Sequence, residues 1–197
     1  MDNQTQLGSL LTNAQGMITA RQVTRAGLHR SVLAKLVQEG QLYQVGRGVY
    51  LKPSAWEDEM FLLQHRYGKG IFSHETALFL HELTDRTPHV FTMTFPKGYN
   101  SPSLKEENVI IRRVVQENYL LGVADVSSPA KNPLRAYDVE RTLCDIVRGN
   151  NACDIQIVNQ AMKRYAASRG KDINKLMTYA EQLRVKPKIL NYMEVLL

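Results

Sequence analysis

The chain has 197 residues and a formal net charge of +6 at pH 7, room for one ordinary domain or two small ones. At 44% hydrophobic residues it can build a core, so wholesale disorder is excluded. Its two cysteines, Cys144 and Cys153, cannot make a disulfide framework or a four-cysteine zinc site. No run approaches the roughly 18 apolar residues of a membrane span.

Leu7, Leu10, Leu11 and Ala14 fall at helical spacing, and Gly16 ends that first helix. Thr19 precedes Ala20-Arg21-Gln22 as a Thr-x-x-Gln capping box, which predicts a short second helix over Ala20–Ala26 stopped by Gly27. A three-residue turn later, a third helix runs from about His29 to Glu39, with Val32, Leu33, Leu36 and Val37 on one face and Gly40 at its end. Gln41–Val45, Gly46-Arg47-Gly48 and Val49–Leu51 read as two short strands with a glycine-bracketed tip. Helix, helix, short turn, helix and hairpin is the order of a winged helix-turn-helix. We place it at residues 1–52, with a seam at Pro53-Ser54.

The remainder, residues 53–197, reads as a mixed α/β domain with a small sheet and terminal helices, so the fold class is α+β. Trp56–Tyr67 is a linking helix, and Ser73 is the N-cap of a helix over His74–Leu83. His89–Phe95, Asn108–Val115 and Tyr119–Val126 carry strand periodicity, with a loop at Ser127–Pro133. Asp138 caps a helix whose Val139, Leu143, Ile146 and Val147 share a face. Asp154 and Asp172 cap two more around Gly170, and Pro187 fits the first turn of the last.

Catalytic patterns are incomplete. His74-Glu75 and His81-Glu82 begin like His-Glu-x-x-His but close on Leu78 and Asp85, and two helical turns of about 10 Å separate the two histidines, too far for one metal. No Asp or Glu has Lys two positions on, and no Asp-x-Asp pair follows Gly8-Ser9. We therefore expect no enzyme, no metal and no cofactor, with Cys144 in the core.

Charge is segregated. Residues 1–52 hold six Lys/Arg against two acids, residues 53–159 eleven against fourteen, and residues 160–190 eight against two. That separation favours a polyanion such as DNA or RNA. The candidate DNA-binding residues are Thr19, Arg21, Arg25, His29, Arg30, Ser31, Lys35 and Arg47. Arg30 and Ser31 suit base edges, Lys35 a phosphate, the second helix's N-terminus with Thr19 and Arg21 another phosphate, and Arg47 the wing. Lys163, Arg164, Lys171, Lys175, Arg184, Lys186 and Lys188 are either an ordinary wet surface or a second basic face. Arg112-Arg113 is too short to weigh, because strand neighbours point to opposite faces.

Gly27-Leu28-His29-Arg30, Leu33, Leu36, Gly40-Gln41-Leu42 and Gly46-Arg47-Gly48-Val49-Tyr50 resemble the N-terminal winged helix of the AbiEi antitoxins of abortive-infection (type IV) toxin–antitoxin systems. Ser73-His74-Glu75-Thr76-Ala77-Leu78 and Asp138-Val139-Glu140-Arg141-Thr142-Leu143-Cys144-Asp145 resemble motifs of the same family's second domain, with Val139 where many relatives carry proline. The resemblance implies a repressor of its own operon, bound at inverted repeats in the promoter. It also implies a phage-defence antitoxin that opposes a nucleotidyltransferase toxin without a stable complex. The polar first residues, Met1 to Gln6, lack a signal peptide's order, so the expected location is the cytoplasm, away from membranes. No heptads declare a dimer, which leaves open monomers that pair on DNA. A protein- or RNA-binding adaptor is the alternative reading.

Overall fold

The computed structural model describes residues 3–13, 16–149 and 153–196. Among them are ten α-helices and two sheets, a mixed α+β chain divided into two units. The first unit takes in residues up to Gly68 together with Ser127–Leu134; the second takes in Lys69–Val126 and Arg135 onward.

In the first unit, α1 (Asn3–Asn13), α2 (Ala20–Arg25) and α3 (Ser31–Gln38) surround a core of Leu7, Leu11, Ile18, Val23, Leu28, Leu33 and Leu42. Ala14, expected on the apolar stripe of α1, lies outside the described residues. The expected hairpin forms as β2 (Tyr43–Gly46) and β3 (Val49–Leu51) around Arg47-Gly48, with a bulge between Gln44 and Gly46. A strand absent from the sequence reading, β1 (Met17–Thr19), pairs antiparallel with β3 and makes the order β1-β3-β2. On α3, Leu33 is buried, but Val37 is exposed rather than part of the core.

Residues beyond Pro53-Ser54 also belong to this unit. Asp58 caps α4 (Glu59–Arg66) through Phe61 N–H at 3.0 Å. Its other oxygen accepts the Ser128 hydroxyl and, at 2.9 Å, the Asn132 amide; all three residues are buried. Charge-assisted bonds of this kind are strong out of water, and they bind the 127–134 segment to α4.

The second unit carries the sheet β6-β5-β4-β8-β7, formed by β4 (Ile71–Phe72), β5 (Phe91–Pro96), β6 (Val109–Val114), β7 (Val123–Ser127) and β8 (Pro133–Tyr137). It is mixed: β4 runs antiparallel to β5 and parallel to β8, and β5 runs parallel to β6. Tyr119–Val126 is not one strand, since Gln116–Leu120 forms a helix, α6, before β7 begins. The expected Ser127–Pro133 loop forms over residues 128–132, with Ser127 closing β7 and Pro133 opening β8.

Helix α5 (His74–Leu80) is shorter than predicted, and Ser73 makes no side-chain cap bond. Its hydroxyl instead accepts from the Thr94 hydroxyl of β5 at 2.8 Å, a buried bond that removes it from capping. Helix α7 (Val139–Ile146) is capped by Asp138 at Arg141 N–H, 2.8 Å, as read. It was expected to bury one face, and instead it is buried nearly all round, Glu140, Arg141, Thr142 and Asp145 included. It packs on α5, α8 (Ile155–Ala167) and α9 (Ile173–Gln182), so it has no wet side. Asp154 and Asp172 cap α8 and α9, and Pro187 stands in the first turn of α10 (Lys186–Leu196). The core here is Leu143, Cys144, Ile146, Ile157, Val158, Ala161, Met162, Leu176 and Ile189 with their neighbours.

Candidate nucleic-acid interface

The start of α2 is fixed by the predicted box. Thr19 Oγ accepts Gln22 N–H at 3.1 Å, and Gln22 Oε1 accepts Thr19 N–H at 2.7 Å. Its end is a Schellman turn: Leu28 N–H donates to Val23 O at 3.1 Å and Gly27 N–H to Thr24 O at 3.0 Å. Gly27 sits at φ +78, a conformation only glycine takes cheaply. Val23 and Leu28 then meet in the core, which fixes the angle at which α3 departs. Helix α3 begins at Ser31, two residues later than expected, because Arg30 is its N-cap with no capping side chain. The connection between α2 and α3 is therefore Ala26–Arg30, longer than the three-residue turn read from sequence.

Seven of the eight candidate residues are exposed: Arg21 and Arg25 on α2, His29 and Arg30 in the turn, Ser31 and Lys35 on α3, and Arg47 at the hairpin tip. Thr19 is the exception. It is buried, and both its hydroxyl and its backbone N–H are spent on the box. Arg30 Nε donates to Thr24 Oγ at 2.9 Å, which ties the guanidinium to α2. His29 Nδ1 accepts Ser31 N–H at 3.3 Å and lies 2.7 Å from the Ser31 hydroxyl. An accepting Nδ1 leaves the proton on Nε2, pointing the imidazole's donor outward. Lys35 pairs with Glu39 at 3.8 Å, but both are exposed, so the pair holds the lysine only weakly.

Two supporting residues were not visible in the sequence. Thr24 carries no motif of its own and acts only through Arg30. His65 of α4 lies 18 positions from the hairpin tip, yet its Nε2 is 3.2 Å from Arg47 O. A carbonyl only accepts, so His65 donates and holds the backbone from which Arg47 projects. Gly46, Arg47, His65 and Arg66 line one concavity of about 280 Å³ there.

The C-terminal basic residues are not brought together as one free set. Arg164 pairs with Asp85, whose carboxyl it holds below the usual range, and donates to Glu82 O at 2.9 Å. Lys175 sits 3.0 Å from both Asp138 and Glu140; burial pulls its pKa down, and those two carboxylates more than offset that and raise it. Lys186 pairs with Glu181 at 3.3 Å, Lys188 donates to Val147 O at 2.9 Å, and Lys171 to Ser168 O at 3.2 Å. Lys163 is exposed, and Arg184 is exposed at φ +60 between α9 and α10.

Burial pushes the Cys144 and Cys153 thiols up to about 12, with nearby carboxylates adding to it, so neither is a ready thiolate. Among the described residues no group of three His, Cys, Asp or Glu side chains is placed to hold a metal ion, and no helix is long and apolar enough to cross a membrane.

The family described as "Transcriptional regulator, AbiEi antitoxin" matches residues 9–51, which span α1 through β3. Among solved structures, the crystal structure of the RV2827C protein from Mycobacterium tuberculosis resembles 98% of this chain over 80% of its own, at 14% identity and a TM-score of 0.46. No curated protein gives a significant sequence match. The same tri-helical segment that presents the exposed basic residues is the matched one, so over residues 9–51 the chain is similar to the AbiEi antitoxin transcriptional regulators.

Proposed function

We propose that the segment read as residues 1–52 is a winged helix-turn-helix that binds operator DNA, with β2–β3 as the wing. In this reading the protein represses its own toxin–antitoxin operon in the cytoplasm, and the rest of the chain opposes a nucleotidyltransferase toxin. The observation that carries it is the exposure of seven polar and basic candidates on a segment matched to a regulator family. Helix α3 lies in the major groove, with Arg30 and Ser31 at base edges and Lys35 against a phosphate. Arg47 follows the wing to the backbone or the minor groove, and Arg21 and Arg25 add phosphate contacts. Thr19 acts indirectly, by fixing the start of α2. Two copies on an inverted repeat give the site its two-fold symmetry.

A reporter fused to the gene's own promoter tests the repressor half. The intact protein lowers reporter output and the Arg30→Ala, Arg47→Ala double variant restores it. Equal output with both proteins, at matched levels, would reject the reading. Co-expression with the neighbouring toxin gene tests the antitoxin half, with growth restored only when the second unit is present.

A further inference from the structure

Segments 73–78 and 138–145 of the second unit have no part in the DNA-binding reading, yet His74, Arg141 and Asp145 from them meet at one place. A cavity of about 240 Å³ opens where α5, β5, β6 and α7 converge. Its wall combines His74 with Arg112, Arg113, Arg141 and Arg148, and among the described lining residues Asp145 is the only carboxylate. As strand neighbours, Arg112 and Arg113 are expected on opposite faces. Both line the cavity, on a strand at the edge of the sheet.

The single carboxylate does not neutralise this set. Asp145 is taken by Arg141 Nε at 3.0 Å in a buried pair. Arg141 is fully buried, held further by Leu121 O at 3.0 Å and Asn118 O and stacked over the Tyr137 ring at 4.1 Å. Among the described residues its Nη2 nevertheless has no hydrogen-bond partner, and neither does the buried Nε of Arg112. Buried donors are nearly always satisfied, because each orphan bears its full desolvation cost. His74 adds a second cost: it holds φ +51, rare for a residue with a side chain. Burial above all, then Arg112, Arg141 and Arg148, hold its imidazole below the usual pKa, against Asp145. Strain, orphaned donors and crowded like charge mark a wall built around something anionic.

We propose that this cavity is an anion site that takes the terminal phosphate of a nucleotide or of a nucleic-acid strand. Guanidiniums match tetrahedral oxyanions through paired N–H donors. A phosphate monoester also brings nearly two charges at neutral pH, where a carboxylate brings one. The volume lies below the about 300–1,000 Å³ of pockets that enclose whole small molecules, so the site receives a terminal group and leaves the rest of the ligand outside. The inference stands apart from the DNA-binding reading, since every residue in it belongs to the second unit.

The test titrates the full chain with inorganic phosphate, against chloride at equal ionic strength, and follows His74 and the arginine side chains by NMR. Saturable shifts are expected, with affinity falling about tenfold or more in Arg112→Gln and in Arg148→Gln. These two replace Arg141 as probes because Arg141 also carries structural bonds. A nucleoside 5′-monophosphate, a 5′-phosphorylated oligonucleotide and its 5′-hydroxyl twin then separate the sources. Tighter binding of the mononucleotide names a small ligand, and tighter binding of the phosphorylated strand over its twin names a strand end; either upholds the site. Absence of saturation, or unchanged affinity in both variants with native circular dichroism, would overturn it.

Discussion

Asp58 joins α4 to the 127–134 segment, and its replacement by alanine should destabilise the first unit strongly. One carboxylate oxygen caps Phe61 N–H at 3.0 Å; loss of such a cap costs about 1 kcal/mol. The other accepts from Ser128 and Asn132, both buried, so truncation leaves two donors without a partner. Each orphan costs about 1–3 kcal/mol, and the whole comes to about 3–7 kcal/mol of unfolding free energy. Asp58→Asn should fare little better, because its amide turns an acceptor into a donor that faces two others. Glu57→Gln, an exposed neighbour, should change stability by less than about 0.5 kcal/mol. Urea melts followed by far-UV circular dichroism measure this directly; Trp56 is 93% exposed and would report the transition poorly by fluorescence. The same variant should loosen the hairpin tip, which α4 holds through His65. A loss under about 1 kcal/mol for Asp58→Ala would refute the buried network.

Three further outcomes follow from the geometry. Arg30→Ala should cost about 1–3 kcal/mol at the cognate site and relax discrimination at one base pair, checked by binding to a panel of single-base operator variants; unchanged discrimination would remove Arg30 from the base edge. Arg47→Ala should weaken binding to every sequence alike and lower the salt slope by about one unit, read from affinities at several salt concentrations. His74 has a folded-state pKa below its ordinary 6.5, so the unfolded chain takes up the proton first as pH falls. Its contribution to stability is complete above pH 6.5 and is lost on acidification below it. Thermal melts in chloride buffer should therefore show a shallower acid limb for His74→Asn, whose side chain tolerates positive φ; identical limbs would contradict the shift.

Local chemistry was legible in the sequence, and distant chemistry was not. The Thr19–Gln22 box and the caps at Asp138, Asp154 and Asp172 each involve residues two or three positions apart, so spacing alone reveals them. Strands β1 and β4 have three and two residues, too few for any periodicity, and exist only through pairing, β1 with β3 and β4 with β5 and β8. Tyr119 and Leu120 read as the start of a strand that runs to Val126, but Tyr119 turns inward and donates to Lys69 O at 2.7 Å, which the five-residue helix Gln116–Leu120 allows. Arg141 defeats pattern reading more deeply. Periodicity assigns charges to a wet face, and α7 has none. In the candidate interface, the exposed positions followed from the apolar faces opposite them. The Thr24–Arg30 bond and the His65–Arg47 contact did not, since each joins residues on different elements.

A gel-shift titration of the purified protein on its own upstream promoter against scrambled DNA, at two salt concentrations, bears most directly on the central claim. Tight, sequence-dependent binding that weakens steeply as salt rises is the expected result. Equal and weak binding to both DNAs would contradict it and leave the exposed basic residues of α2, α3 and the hairpin without an operator to read.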